Sequence, residues 1–185
     1  DMTRKGTRFE LSARVVSIKE GEVTFEKDGG QNVLPCSKVL LSIGRRPNSA
    51  DMGLEQIGIA MDRAAVITDE RMRTNVPGVW AAGDINGKSM LAHTAYREAE
   101  AAVNDMLGID DSMRYDAIPS VIYTNPELSS VGLTEQEAEK RGISVRVVKL
   151  PMNYAGRYRA ENEDGRGIMK LLVDRAGLPQ PLRAM

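Results

Sequence analysis

The chain has 185 residues, 25 Lys and Arg against 26 Asp and Glu, and a net charge of −1. This near-average composition excludes wholesale disorder, and the balance of charge excludes a module that binds nucleic acid or an anionic membrane surface. A single cysteine, Cys36, excludes an internal disulfide framework and a thiolate metal site, and reads as a small strand residue.

The start, Asp1-Met2-Thr3-Arg4-Lys5, lacks the apolar stretch of a signal peptide, and no run approaches the roughly 18 apolar residues of a membrane span, so the chain reads as cytoplasmic. Polar and apolar residues then alternate in Phe9-Glu10-Leu11 and Val23-Thr24-Phe25, with breaks at Glu20-Gly21 and Lys27-Asp28-Gly29-Gly30. That pattern predicts a β-meander. Next comes the nearly continuous apolar run Lys38-Val39-Leu40-Leu41-Ser42-Ile43-Gly44, which predicts a strand buried on both faces. Gly44 ends it, and Arg45-Arg46-Pro47-Asn48 turns the chain away.

The turn signal Thr74-Asn75-Val76-Pro77-Gly78 introduces Val79-Trp80-Ala81-Ala82, expected as a four-residue buried strand that stops at Gly83-Asp84. From Met90 to Leu107, the apolar positions Leu91, Ala92, Ala95, Ala99, Ala102, Val103 and Met106 recur at helical spacing. They predict a helix with Ser89 as N-cap and Gly108 as its stop. A change of composition at Asp110-Asp111-Ser112 opens a second unit. Beyond Pro119 the pattern is strand (Ser120 to Thr124), a capping box at Thr134-Glu135-Gln136-Glu137 with a short helix stopping at Gly142, then strands over Val145 to Leu150 and Gly167 to Val173. An antiparallel sheet with a helix laid on it is the expected arrangement.

Ligands of open α/β sheets sit outside the carboxyl ends of strands, which draws attention to Gly83-Asp84. Gly83 would permit close approach to the backbone, Asp84 would accept from ligand hydroxyls, and the helix start near Met90 offers unpaired N–H groups and a positive dipole end. Spacing alone favours the plainer reading, a strand end with Asp84 capping a turn. His93, the only histidine, sits in the first turn of that helix; a lone histidine without ligand partners is more often packed or solvent-tipped than a metal ligand. Gly87-Lys88-Ser89 fails as a triphosphate-binding loop because the required earlier glycine is Ala82. Gly165-Arg166-Gly167 fails as a dinucleotide fingerprint because its third glycine would be Lys170. Arg157, Tyr158 and Arg159 form too small a basic-aromatic cluster for a nucleic-acid platform.

Four motifs in order and register carry a resemblance: Val39 to Asn48, Thr74 to Asp84, Met90-Leu91-Ala92-His93, and Ile118-Pro119-Ser120-Val121-Ile122-Tyr123-Thr124-Asn125-Pro126-Glu127. Together they resemble the pyridine nucleotide-disulfide oxidoreductases, and Met90 to His93 resembles the dihydrolipoyl dehydrogenase branch more than the glutathione or mercuric reductases. The resemblance implies an α/β and α+β fold, in which the remainder of an FAD/NAD(P)-binding Rossmann-like region is followed by the start of an α+β dimerisation domain. Residues 1–48 would end an NAD-binding domain, 49–114 would be the returning segment of an FAD-binding domain, and 115–185 a partial dimerisation domain with an off-pattern tail. Gly44 would lie near the nicotinamide nucleotide, Asp84 would bond the ribityl chain of FAD, and Met90, Leu91, Ala92 and His93 would face the isoalloxazine, whose reduced form carries negative charge that a helix start favours.

The resemblance further implies FAD and NAD as cofactors, a homodimer, and a lipoyl-domain protein as partner of the whole enzyme. The family's Cys-x-x-x-x-Cys pair, its glycine-rich dinucleotide loops and its His-Pro motif are not found in this sequence, so no catalytic residue is assigned. The expectation is a truncated or frame-altered piece, inactive alone and colourless when purified. Two alternatives stay open: another family member, of reductase or transhydrogenase type, and a non-catalytic self-associating module.

Overall fold

Alternation and tight turns shape the first unit, Asp1–Gly44, into the expected meander. In the computed structural model, which describes residues 2–162, 165–174 and the backbone of 183–184, strands β1 (Arg14–Lys19), β2 (Glu22–Lys27) and β3 (Gly30–Pro35) pair antiparallel in sequence order. A register shift between Val15 and Ser17 puts a bulge in β1. Phe9 to Leu11 does not join the sheet; it is held beside the end of β2 by a 2.9 Å ion pair between Glu10 and Lys27.

The buried strand expected over Lys38 to Gly44 is not formed. Leu40 and Ile43 are about nine-tenths exposed, at 90% and 92%. A run apolar on both faces becomes a strand only between two neighbouring ladders, and no described strand pairs with this one. The buried apolar residues of the described structure all lie in the second unit, Arg45–Met185.

The first strands of that unit form a small hairpin, β4 (Met61–Asp62) and β5 (Ala65–Val66). The amide of Asn75 ties the approach to this hairpin down, accepting from the Ala60 N–H at 2.7 Å and donating to the Gly58 carbonyl at 2.8 Å. The four-residue strand expected at Val79 to Ala82 is instead one arm of a tight return: Thr74 N–H donates to Val79 O, Ala81 N–H to Met72 O, and only Arg73 and Trp80 form a bridge. The arm is half-buried because its single partner is antiparallel and adjacent in sequence.

Helix α1 (Ala92–Met106) lies within the span expected, ending in a Schellman motif: Gly108, at φ +73°, donates to Asp105 O and Ile109 N–H to Asn104 O. Its buried face is not the expected stripe. Thr94, Glu98, Ala101, Ala102 and Asp105 are buried, whereas Val103 and Met106 are exposed. The helix is rotated because its inward carboxylates find donors in the loops it packs against, which removes the cost of burying them. The core at this face is Met72, Ala101, Ala102 and Met113, with Trp80, Tyr115 and Ile118 packed against it. Ser89 is not the N-cap; its hydroxyl bonds that of Thr94 at 3.0 Å.

Beyond Pro119 the elements follow the expected order, with additions. Strands β6 (Ser120–Ile122) and β7 (Leu128–Ser130) form a hairpin, α2 (Glu135–Lys140) follows, and β8 (Val145–Pro151) pairs with β9 (Ile168–Asp174) from Val145↔Asp174 to Pro151↔Ile168. Two separate antiparallel sheets therefore replace the single one expected, and Lys170 of β9 reaches Glu135 of α2 at 2.8 Å. Between β8 and β9, helix α3 (Gly156–Glu161) carries the Arg157-Tyr158-Arg159 cluster, where the Tyr158 hydroxyl accepts from Gly167 N–H at 2.7 Å. The off-pattern tail, 176–185, lies outside the described residues apart from the backbone of β10 (Arg183–Ala184), which pairs with β9.

The capping box at α2 is complete: Thr134 Oγ1 accepts from Glu137 N–H at 3.1 Å, and the Glu137 carboxylate accepts from Thr134 N–H at 2.8 Å. Replacing Thr134 by alanine is expected to lower the unfolding free energy by about 1 kcal/mol in urea titrations, with Thr134→Ser nearly neutral.

Candidate functional site

The turn that leaves the Val79–Ala82 arm is built around Gly83, whose φ of 85° and ψ of −159° fall in a region open essentially to glycine alone. Gly83 is buried, and a Cβ there would touch the Cβ of Ala95 at 3.4 Å. The space beside its backbone is thus taken by α1. The next residues, Asp84–Asn86, form one 3-10 turn. Asp84 is exposed, and among the described residues none donates to its carboxylate. Asn86 is buried, accepting from Lys88 N–H, while Lys88 Nζ donates to the carbonyls of Thr68 and Asp69 and lies over the Tyr115 ring.

What holds this turn is Glu98 of α1, fully buried at 0% exposure. One carboxylate oxygen accepts from Gly83 N–H at 2.6 Å and from the Asn86 amide at 2.9 Å; the other accepts from the Tyr115 hydroxyl at 2.7 Å. Burial, followed by the adjacent Glu98 carboxylate, pushes the Tyr115 hydroxyl well above the usual tyrosine range, so it stays protonated and donates. Glu98 is not among the residues expected from the sequence. Its signal was available: it sits between Ala95 and Ala102 at helical spacing, where an unpaired charge would be costly.

Helix α1 starts with Leu91 at the N-cap, extended at φ −126° and ψ 134°, a side chain with no acceptor to offer. The first intrahelical bond runs from Ala95 N–H to Leu91 O, leaving the amides of the opening turn without a side-chain cap. Met90 and Leu91 are half-buried; Ala92 and His93 are exposed. His93 Nε2 faces the carbonyl of Pro119 at 2.9 Å, which makes Nε2 the protonated nitrogen. Asp84, Met90, Leu91, Ala92 and His93 all belong to the second unit, where the bond from Gly83 N–H to Glu98 ties the turn to α1. Gly44, the remaining expected cofactor residue, ends the exposed run of the first unit at φ +101°, with open space around it.

Two carboxylates brace the far end of α1. Asp105 is gripped by Arg73, whose Nε lies 2.6 Å away, and by the Trp80 indole N–H at 2.9 Å. Asp111 pairs with Arg97 and accepts from Asn104 at 2.8 Å. Hydrogen bonds from Arg73 hold Asp105 below the usual carboxylate range, and those from Arg97 and then Asn104 hold Asp111 well below it. Both native values are depressed, so their contribution to stability is present above the unfolded carboxylate value and lost as pH falls through the native ones. The expected stability by urea unfolding is flat from neutral pH to about 5 and falls below about 4, with a shallower fall in Asp105→Asn.

Among the described residues no group of three or more His, Cys, Asp or Glu could hold a metal ion, and no helix is long and apolar enough to cross a membrane. The turn offers an exposed carboxylate at Asp84, and the start of α1 offers amides without a side-chain cap. An open, unbonded carboxylate can accept from a polyol chain, and free amides at a helix start can donate to an electron-rich ring edge.

Residues 1–99 match the family model described as pyridine nucleotide-disulphide oxidoreductase, and residues 118–177 match the dimerisation domain of the same family. The dihydrolipoyl dehydrogenase of Chlamydia muridarum is 43% identical over 162 residues, which cover 87% of this chain and 35% of that protein. The Manduca sexta dihydrolipoyl dehydrogenase is 38% identical over 185 residues, 95% of this chain and 37% of that protein. Among solved structures, LpdA from Mycobacterium tuberculosis superposes with a TM-score of 0.82 at 27% identity, covering 95% of this chain and 39% of that one. The HOCl-induced flavoprotein disulfide reductase RclA from Escherichia coli gives 0.78 at 29% identity, covering 99% and 42%. The chain thus spans little more than a third of the length of these curated relatives. These matches make the chain a member of the pyridine nucleotide-disulphide oxidoreductase family.

Proposed function

We propose that this chain carries the ring-facing part of a flavin site and the subunit-interface segment of an NAD-linked flavoprotein disulfide oxidoreductase of dihydrolipoyl dehydrogenase type. The observation that carries the reading is the unbonded carboxylate of Asp84 in the same unit as the uncapped start of α1 at Leu91. Support comes from the names of the curated relatives and from the order of the motifs. When bound, the flavin supplies electron transfer between a dithiol and a pyridine nucleotide. Asp84 accepts hydrogen bonds from its polyol chain. The amides of Ala92 and His93 donate to the ring edge, where the α1 dipole favours negative charge. The bond from His93 to Pro119 fixes the imidazole at that helix start.

In this reading 1–48 closes a nicotinamide-nucleotide domain with Gly44 near the nucleotide, 49–114 returns to the flavin domain, and 115–185 enters the interface domain. A homodimer is supported by the family match over 118–177 and by exposed Ile122, Tyr123 and Leu128 on and beside the β6–β7 hairpin. A lipoyl group on a protein is the substrate class in keeping with the relatives. Cys36 is the one cysteine of the sequence and forms no disulfide alone, so turnover requires a cysteine pair from outside these residues.

Titrating the chain with FAD and following quenching of flavin fluorescence tests the reading. Weak binding, roughly millimolar, is expected, weakened about tenfold further in Asp84→Ala. A purified chain that is already yellow with stoichiometric flavin would contradict the weak affinity. Binding indifferent to Asp84→Ala would contradict the assigned site.

A further inference from the structure

Glu98 has no role in the flavin contacts assigned above, yet it is a fully buried carboxylate with no described cation paired to it. Its three donors come from two places in the chain. Gly83 N–H and the Asn86 amide bracket the turn that bears Asp84; the Tyr115 hydroxyl comes from the segment that follows α1. A carboxylate in such a position is costly to bury unless every donor is in place, so its cost is also a device for setting the shape of what surrounds it.

We propose that Glu98 is a positioning residue: its carboxylate fixes the Gly83–Asn86 turn so that Asp84 points outward as a preformed acceptor, and Tyr115 locks the carboxylate in the rotamer that does so. The claim deepens the flavin reading and rests on it for the purpose of the turn, though not for its mechanics. The bond to Gly83 N–H holds the Ala82–Gly83 peptide, one residue ahead of Asp84. The bond to Asn86 holds the residue that ends the 3-10 turn. Two anchors flanking Asp84 leave its backbone little freedom, while its side chain has no internal partner to draw it aside. The order is imposed before any ligand arrives, which removes that ordering cost from binding.

Glutamine is the informative replacement. Its amide oxygen can still accept from Gly83 and Asn86, and its NH2 can donate to Tyr115, whose hydroxyl then accepts. Amide hydrogen exchange over the peptide containing residues 83–88 is the readout, compared with α1 and with the control Trp80→Phe, which removes a bond to Asp105 and none to Glu98. In Glu98→Ala, exchange in 83–88 is expected to rise about tenfold or more beyond the rise in α1, and Glu98→Gln to restore most of the protection. If Glu98→Ala does not fold, Tyr115→Phe removes one donor only, and a rise of roughly threefold confined to 83–88 is expected.

A rise in Glu98→Ala no greater than that in Trp80→Phe, or no protection regained in Glu98→Gln, overturns the positioning role. FAD titration of the same proteins separates the two claims. Absence of flavin binding by the unaltered chain, with the exchange pattern as expected, sinks the flavin reading alone. Flavin binding that is equal in the unaltered chain and Glu98→Ala, with the turn loosened, sinks the purpose assigned to Glu98.

Discussion

Replacing Met72 by alanine is expected to destabilise the second unit by about 3 kcal/mol in urea unfolding. Met72 is fully buried and lies at the centre of the cluster of Ala101, Ala102 and Met113. Its neighbours on α1, Ala101 and Ala102, are too short to fill the space left behind, so much of the cavity is expected to persist. The sulfur also has polar company: Asn86 Nδ2 and the Tyr115 hydroxyl each lie 3.9 Å away. Both groups keep stronger bonds to Glu98, so packing dominates the loss. Met72→Leu preserves volume and is expected to cost less than about 1.5 kcal/mol. An alanine variant as stable as the leucine one would show that the cluster is not the core of this unit.

The second large effect is expected at Gly83. Alanine there must adopt φ near 85° with ψ near −159°, at a cost on the order of 1–3 kcal/mol. The contact its Cβ would make with Ala95, at 3.4 Å, is tolerable, so backbone strain and not collision sets the magnitude. Relief of that strain requires the turn to rotate, which would break the 2.6 Å bond from Gly83 N–H to Glu98 and carry Asp84 out of position. Thermal unfolding should show a drop of several degrees, accompanied by weaker flavin binding. A drop in stability without any change in binding would argue that Asp84 is not part of the site.

The features legible from the sequence are those whose physics is local. The capping box at Thr134, the Schellman end of α1 at Gly108 and the turns of the β1–β3 meander each need only a few adjacent residues, and all three are found where the residue types predict them. Lys38 to Gly44 and Val79 to Ala82 have the apolar content of buried strands, but a strand is defined by its neighbours, and content does not say whether a ladder lies alongside. The phase of α1 failed for a related reason. Counting apolar residues put Val103 and Met106 inward, whereas the buried face carries Glu98 and Asp105 because distant donors, Arg73, Trp80, Gly83, Asn86 and Tyr115, satisfy them. Hydrogen-bond partners tens of residues away leave no trace in a helical periodicity. Asp84 and Met90 to His93 are candidates through the resemblance; spacing alone favours an ordinary strand end with Asp84 capping a turn.

In the proposed reading a flavin lies against the Asp84 turn and the opening turn of α1, and amide chemical shifts of isotopically labelled chain, followed during an FAD titration, report where it binds. The expected result is a set of concentration-dependent shifts centred on Asp84, Ile85 and Leu91 to His93, abolished in Asp84→Ala while the spectrum elsewhere stays unchanged. Shifts that cluster away from these residues, or none at FAD concentrations of several millimolar, would contradict it.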